Sequence, residues 1–186
     1  MWSPDMTMRR LIRAAAAMAV AGTTAGCFQP LYGERSVTGG SAVRDALAGV
    51  DVAQIDAPKG SPLARIAVET RNELVFDLTG GGGSGPPTHR LTIRLIPSTN
   101  TVVLDPLTLR AEFTNFGLDA YYTLTEVESR KDVVKGSATT RVTYNVPGQQ
   151  QRFARARALR DAETRASKVI ADQIRSRLAS YFVAGT

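Results

Sequence analysis

His89-Arg90-Leu91-Thr92-Ile93-Arg94-Leu95 alternates without a break: Leu91, Ile93 and Leu95 fall on one side of an extended chain, Arg90, Thr92 and Arg94 on the other. A period of two with one apolar and one wet side describes a strand in a sheet buried on a single face. Downstream, Pro97-Ser98-Thr99-Asn100 reads as a turn. A second alternating run goes from Leu107 through Leu109, Ala111 and Phe113, slips by one near Asn115, and resumes through Phe116, Leu118, Ala120, Tyr122 and Leu124. The slip predicts a bulge or a hairpin there, because an unrelieved shift turns the apolar set outward. After a turn at Ser129-Arg130-Lys131-Asp132, a third run carries Val134, Ala138, Thr140, Val142, Tyr144 and Val146.

Two helical patterns flank these strands. Ser61-Pro62 opens the first, with the serine as cap and the proline at a position that forfeits no hydrogen bond. Leu63, Ile66, Ala67, Thr70, Leu74 and Leu78 then recur every three or four residues, Arg65 and Glu69 are spaced to pair along the helix, and Gly80 ends it. The second pattern, from Gln149 to Phe182, contains no Gly or Pro. Its stripe is Leu159, Ala162, Ala166, Val169, Ile170, Ile174, Leu178, Tyr181 and Phe182; eight basic residues against three acidic ones occupy its other sides. Upstream, Val50 to Ile55 reads as a short strand, and Ala42 to Ala48 has the makings of a short helix. The expected fold is therefore α+β: a four-stranded antiparallel or mixed sheet with two helices packed on one face, in the order β-α-β-β-β-α. The sheet's other face, bearing Arg90 and Arg94, is left open.

Composition narrows the chemistry. Of 186 residues, 23 are Lys or Arg, 17 are Asp or Glu, one is His and one is Cys. One His with one Cys cannot form a Cys/His zinc cluster, and His89 at the start of a strand reads as an edge residue without metal. Charged residues at 22% and hydrophobic residues at 43% exclude wholesale disorder and a multi-span membrane protein. The run from Gly80 to Gly85 lacks the Gly-Lys-Ser/Thr ending of a phosphate loop and follows a helix rather than a strand, so it reads as a connector.

Residues 1–26 have the form of a lipoprotein export signal: Arg9, Arg10 and Arg13 precede an apolar stretch from Ala14 to Val20, too short to span a bilayer. Thr24-Ala25-Gly26-Cys27 resembles the lipobox, in which the cysteine is acylated and becomes the new amino terminus. Removal of the signal leaves 160 residues, with 20 basic against 16 acidic side chains and a net charge of +4. The division is 1–26 signal peptide, 27–49 lipidated terminus and tether, and 50–186 a single α+β domain. Acyl chains at Cys27, each worth about 0.8 kcal/mol per buried CH₂, make the attachment effectively permanent.

Cys27-Phe28-Gln29-Pro30-Leu31-Tyr32-Gly33 resembles the start of the lipopolysaccharide-assembly lipoprotein family, LptE. Thr143-Tyr144-Asn145 and the closing Leu178-Ala179-Ser180-Tyr181-Phe182 are similar to the family at the far end. The resemblance implies a lipid-anchored protein on the periplasmic side of the outer membrane that plugs the LptD β-barrel and aids insertion of lipopolysaccharide into the outer leaflet. It implies no enzymatic activity and no cofactor, and its partners are LptD, lipopolysaccharide and the membrane, not nucleic acid. No local motif marks the family's ligand contacts. Charge and position nominate Arg90 and Arg94 on the open face, with Arg130, Lys131 and Lys135 around the last hairpin turn; each also reads as ordinary solvated surface charge. Two other readings stand beside this one. The first is a lipid-anchored scaffold or assembly factor of another envelope machine. The second is a peptidoglycan-cleaving hydrolase using Glu126 and Glu128 as paired strand carboxylates.

Overall fold

In the computed structural model the described residues are 43–82, 85–104, 111–145 and 151–184, all within the unit Glu34–Thr186. The signal peptide and Cys27 lie outside them. The alternating run at His89 is the beginning of a much longer strand. β1 (Val50–Val52) lies parallel to β2 (His89–Leu104), and β3 (Ala111–Glu126) and β4 (Asp132–Asn145) follow as antiparallel neighbours, giving a mixed sheet ordered β1-β2-β3-β4. Register places Leu91, Leu124 and Val134 in one inward row and Leu95, Ala120 and Ala138 in another, all buried. The expected α+β architecture is observed, with a third, short helix.

Two details of the strand reading are corrected. Pro97 does not turn the chain: β2 runs straight through Pro97–Asn100, pairing Pro97 with Leu118 and Asn100 with Asn115. The Leu91 carbonyl accepts from Ala53 N–H on the β1 side, so odd-numbered residues of β2 direct their backbone away from β3. Pro97 therefore sits where β1 has already ended, on a free edge, and its missing N–H forfeits no ladder bond. Nor is there a bulge at Asn115, where β3 stays in register with both neighbours; the irregularities fall at Thr101–Leu104 of β2 and at Leu124/Thr125 of β3. The apolar pattern slips because Phe113 faces outward, 38% exposed, while Thr114 takes the buried position.

The helices cover the opposite face from Arg90. α1 (Val43–Ala48) contributes Val43 and Leu47 to the core and packs against both longer helices. α2 (Pro62–Thr79) is capped as its sequence predicts: Ser61 Oγ accepts from Ala64 N–H at 3.2 Å, and Gly80 ends the helix in the left-handed conformation at φ 65°. α3 (Arg152–Ala184) lies over β3 and β4, while α2 lies over β1 and β2. Ile170, Ile174 and Leu178 of α3 are fully buried, each worth about 2 kcal/mol of apolar transfer. Among the described residues no helix is long and apolar enough to cross a membrane.

α2 and α3 run side by side in the same direction, with Arg65–Glu163, Thr70–Ser167 and Glu73–Lys168 meeting in order along both. This overturns the expected Arg65–Glu69 pair. Arg65 instead reaches Glu163 at 2.6 Å, because that carboxylate is buried between the helices and an exposed partner on its own helix is no substitute. Val169, expected in the stripe, is exposed, and Ser167 is buried in its place.

Candidate functional site: the open face of the sheet

The outward rows of the sheet follow directly from register. Arg90 stands beside Thr125, Thr92 beside Thr123 and Lys135, and Arg94 beside Tyr121 and Ser137. Two residues along a strand span about 7 Å and two strands about 10 Å, so Arg90, Arg94 and Lys135 form a triangle of cations around the Thr92–Thr123 row. The surface between them carries hydroxyls and one aromatic ring, Tyr121, 53% exposed, with Ile96 on the next row. Three of the five nominated cations are thus brought to one face. Arg130 and Lys131 are not on it: they sit in the turn after β3, where Arg130 adopts φ 56°, beyond the end of the face that carries Arg90.

The face is partly neutralised from within. Arg90 Nε contacts Asp51 at 3.2 Å and Lys135 Nζ contacts Asp132 at 3.0 Å. Hydrogen bonds from Lys135 and Thr125 hold the Asp132 carboxyl below the usual carboxylate range, so the aspartate is ionised at neutral pH. Among the described residues, Arg94 has no carboxylate within ion-pair distance. Higher on the face, Arg141 crosses over Gly117 to Asp119 at 2.8 Å, and hydrogen bonds from Arg141 and then Thr139 lower the Asp119 pKa. Sequence reasoning missed Tyr121 and Ile96. The signal was present, since each is an apolar residue adjacent to an inward one and so out of phase with the strand.

Chemically, such a face suits a phosphorylated amphiphile. Guanidinium and ammonium groups make charge-assisted hydrogen bonds to phosphate oxygens, the threonine hydroxyls add donors, and Tyr121 with Ile96 offers apolar contact. Exposed ion pairs are worth about 0–1 kcal/mol, so a phosphate displacing Asp51 from Arg90 gives up little.

A second concave region lies at the lower end of the sheet, a cleft of about 890 Å³ whose lining includes Asp45, His89, Glu126, Glu128 and Phe182. Here the expected carboxylate pair is corrected. Glu126 is the last residue of β3, but Glu128 lies in the following turn, so the two are not neighbours on one strand face. Glu126 also accepts a hydrogen bond from Ser129 Oγ at 2.6 Å. His89 packs edge-on against Phe182, centroids 5.2 Å apart, and this burial lowers its pKa. Among the described residues no three His, Cys, Asp or Glu side chains gather as a metal site.

No family model and no curated protein matches the chain. Solved structures do. A protein of Caulobacter crescentus CB15 described as a candidate lipoprotein is 20% identical, with TM-score 0.59, over 77% of this chain and 97% of that one. Rare lipoprotein B from Shewanella oneidensis is 14% identical, with TM-score 0.51, over 72% and 96%. The chain shares their fold. Lipoprotein B from Nitrosomonas europaea, at 12% identity and TM-score 0.52, covers 74% of this chain and 90% of its own. Identities this low speak to the fold alone.

Proposed function

We propose that this protein is an acylated outer-membrane lipoprotein, fastened through Cys27 on the periplasmic side, that plugs and supports the LptD β-barrel and aids insertion of lipopolysaccharide into the outer leaflet. The observation that carries the reading is the cationic open face of a small domain whose fold recurs in proteins called lipoproteins. The heptapeptide from Cys27 to Gly33 supports it independently. No covalent step is involved. The domain fills a wide barrel sterically, while Arg90, Arg94 and Lys135 engage lipid A phosphates, with Arg130 and Lys131 adding to the local potential.

Two measurements test this. Tagged protein purified from detergent-solubilised envelopes brings down a large outer-membrane barrel, and depletion reduces surface lipopolysaccharide; failure of both removes the transport role in favour of a scaffold for another envelope machine. Replacing Arg90→Glu together with Arg94→Glu weakens lipopolysaccharide binding on the order of 10-fold to 100-fold at low ionic strength, and the difference shrinks as salt shortens the Debye length. Unchanged binding moves the ligand off this face. The hydrolase reading keeps one point in its favour, the cleft shared by Glu126 and Glu128. It takes precedence if purified cell wall is cleaved and either Glu126→Gln or Glu128→Gln abolishes the cleavage.

A further inference from the structure

The buried stripe of α3 does not run the length of the helix. From Leu159 onward it passes through buried Ala162, Ala166, Ile170, Ile174 and Leu178, but continued backward at the same spacing it meets Arg155 and Arg152, which are exposed. Every residue from Gln151 to Arg157 is exposed, and Phe153 stands 92% in solvent. Between Arg152 and Arg160 there are four arginines and no acidic residue. None of the four has an ion pair among the described residues. Cations in the first turn oppose the helix macrodipole and repel one another, so this arrangement costs the folded chain stability and gains no ion pair among the described residues.

We propose that Arg152–Arg160, the first two turns of α3, dock the protein onto an anionic phospholipid bilayer. The guanidinia span about 12 Å along the helix and pair with lipid phosphates, while Phe153 enters the boundary between headgroups and acyl chains. Phe153, Arg157 and Arg160 share one side of the helix by their four- and seven-residue spacing, so ring and charges meet the surface together. A soluble polyanion offers partners to the arginines but leaves Phe153 in water; a charged bilayer satisfies both. α1, where the described chain begins, shares the lower cleft with Phe182, about 45 Å along α3 from Arg152. Docking at Arg152–Arg160 therefore adds a contact far from that end and sets the tilt of the domain. The element shares no residue with the open sheet face and does not depend on the transport reading.

The test uses the mature chain from residue 27 carrying Cys27→Ala and Phe153→Trp, so that neither signal nor acyl chain partitions and the one tryptophan lies at the docking element. Its emission shifts to the blue with vesicles containing phosphatidylglycerol, stays unshifted with pure phosphatidylcholine, and returns in high salt. Replacing Arg152, Arg155, Arg157 and Arg160 by Gln in this background lowers partitioning on the order of 600-fold, since each basic residue near an anionic surface contributes roughly a fivefold factor. The urea midpoint of that variant is unchanged or raised; a lowered midpoint would assign the arginines to the fold. Equal shifts with neutral and anionic vesicles, no shift with either, or a shift only when lipopolysaccharide replaces phosphatidylglycerol would each overturn the proposal.

Discussion

Two side chains illustrate how single positions are constrained. Gly136 sits opposite Tyr122 in the inward row, and a Cβ there would come within 2.6 Å of the Tyr122 hydroxyl and 2.7 Å of Cζ. The missing side chain is the space the phenol ring occupies, so Gly136→Val costs about 2 kcal/mol through displacement of a buried ring, read as a lowered urea midpoint. His89 is held against Phe182 and Tyr181, and burial lowers its pKa from 6.5 while Glu126 acts in the opposite sense. A depressed histidine contributes nothing to the pH dependence of stability above the unfolded pKa, where both states are neutral. Below 6.5 the unfolded chain takes up the proton more readily, so stability falls as pH drops toward the folded pKa. His89→Asn flattens this decline, and urea midpoints of the two proteins compared between about pH 7 and pH 5 measure it.

At the level of elements, the contact between α2 and α3 is more polar than either stripe suggests. Glu163 is almost fully buried and its partner Arg65 is nearly half exposed, while Thr70 donates to Ser167 at 3.1 Å in the core of the contact. Arg65→Ala leaves a buried carboxylate without its cation and costs about 2 kcal/mol, tempered by solvent reaching the arginine side. Joining Arg65→Leu to Glu163→Leu recovers most of that loss; a double-mutant cycle in urea gives the coupling directly. α3 also guards the sheet: the Gln173 amide accepts from Thr139 N–H and donates to Thr139 C=O, both at 3.3 Å, occupying the outer edge of β4. An edge so occupied is less available for pairing with another chain.

Among the described residues, helices cover one face of the sheet and leave a charged face open, a layer arrangement in which the proposed binding face is not the face that forms the core. Under the proposed function, substitutions on the open face change binding with little effect on folding, whereas those on the helix side change folding first. The proposed anchor at Cys27 lies outside the described residues and is tested by itself. Cys27→Ala prevents incorporation of labelled palmitate and blocks lipoprotein-type processing of the signal; continued labelling of that variant would refute the attachment site.

The strands and helix caps were legible because each depends on local rules: alternation for β2 and β4, Ser61-Pro62 and Gly80 for α2, and an uninterrupted run for α3. The open face was legible too, since Arg90 and Arg94 share the parity opposite Leu91 and Ile93. What required the tertiary structure was every question of partner. Whether Pro97 ends a strand depends on what lies beside it, and β1 stops before reaching it. Whether Arg65 pairs with Glu69 or Glu163 depends on which carboxylate another helix buries. Lys135 joins Arg90 and Arg94 while Arg130 and Lys131 do not, because register, set by long-range pairing, places two strands' side chains in one row. Local sequence determines what a segment becomes; burial and pairing come from residues distant in the chain, and no periodicity within a segment encodes them.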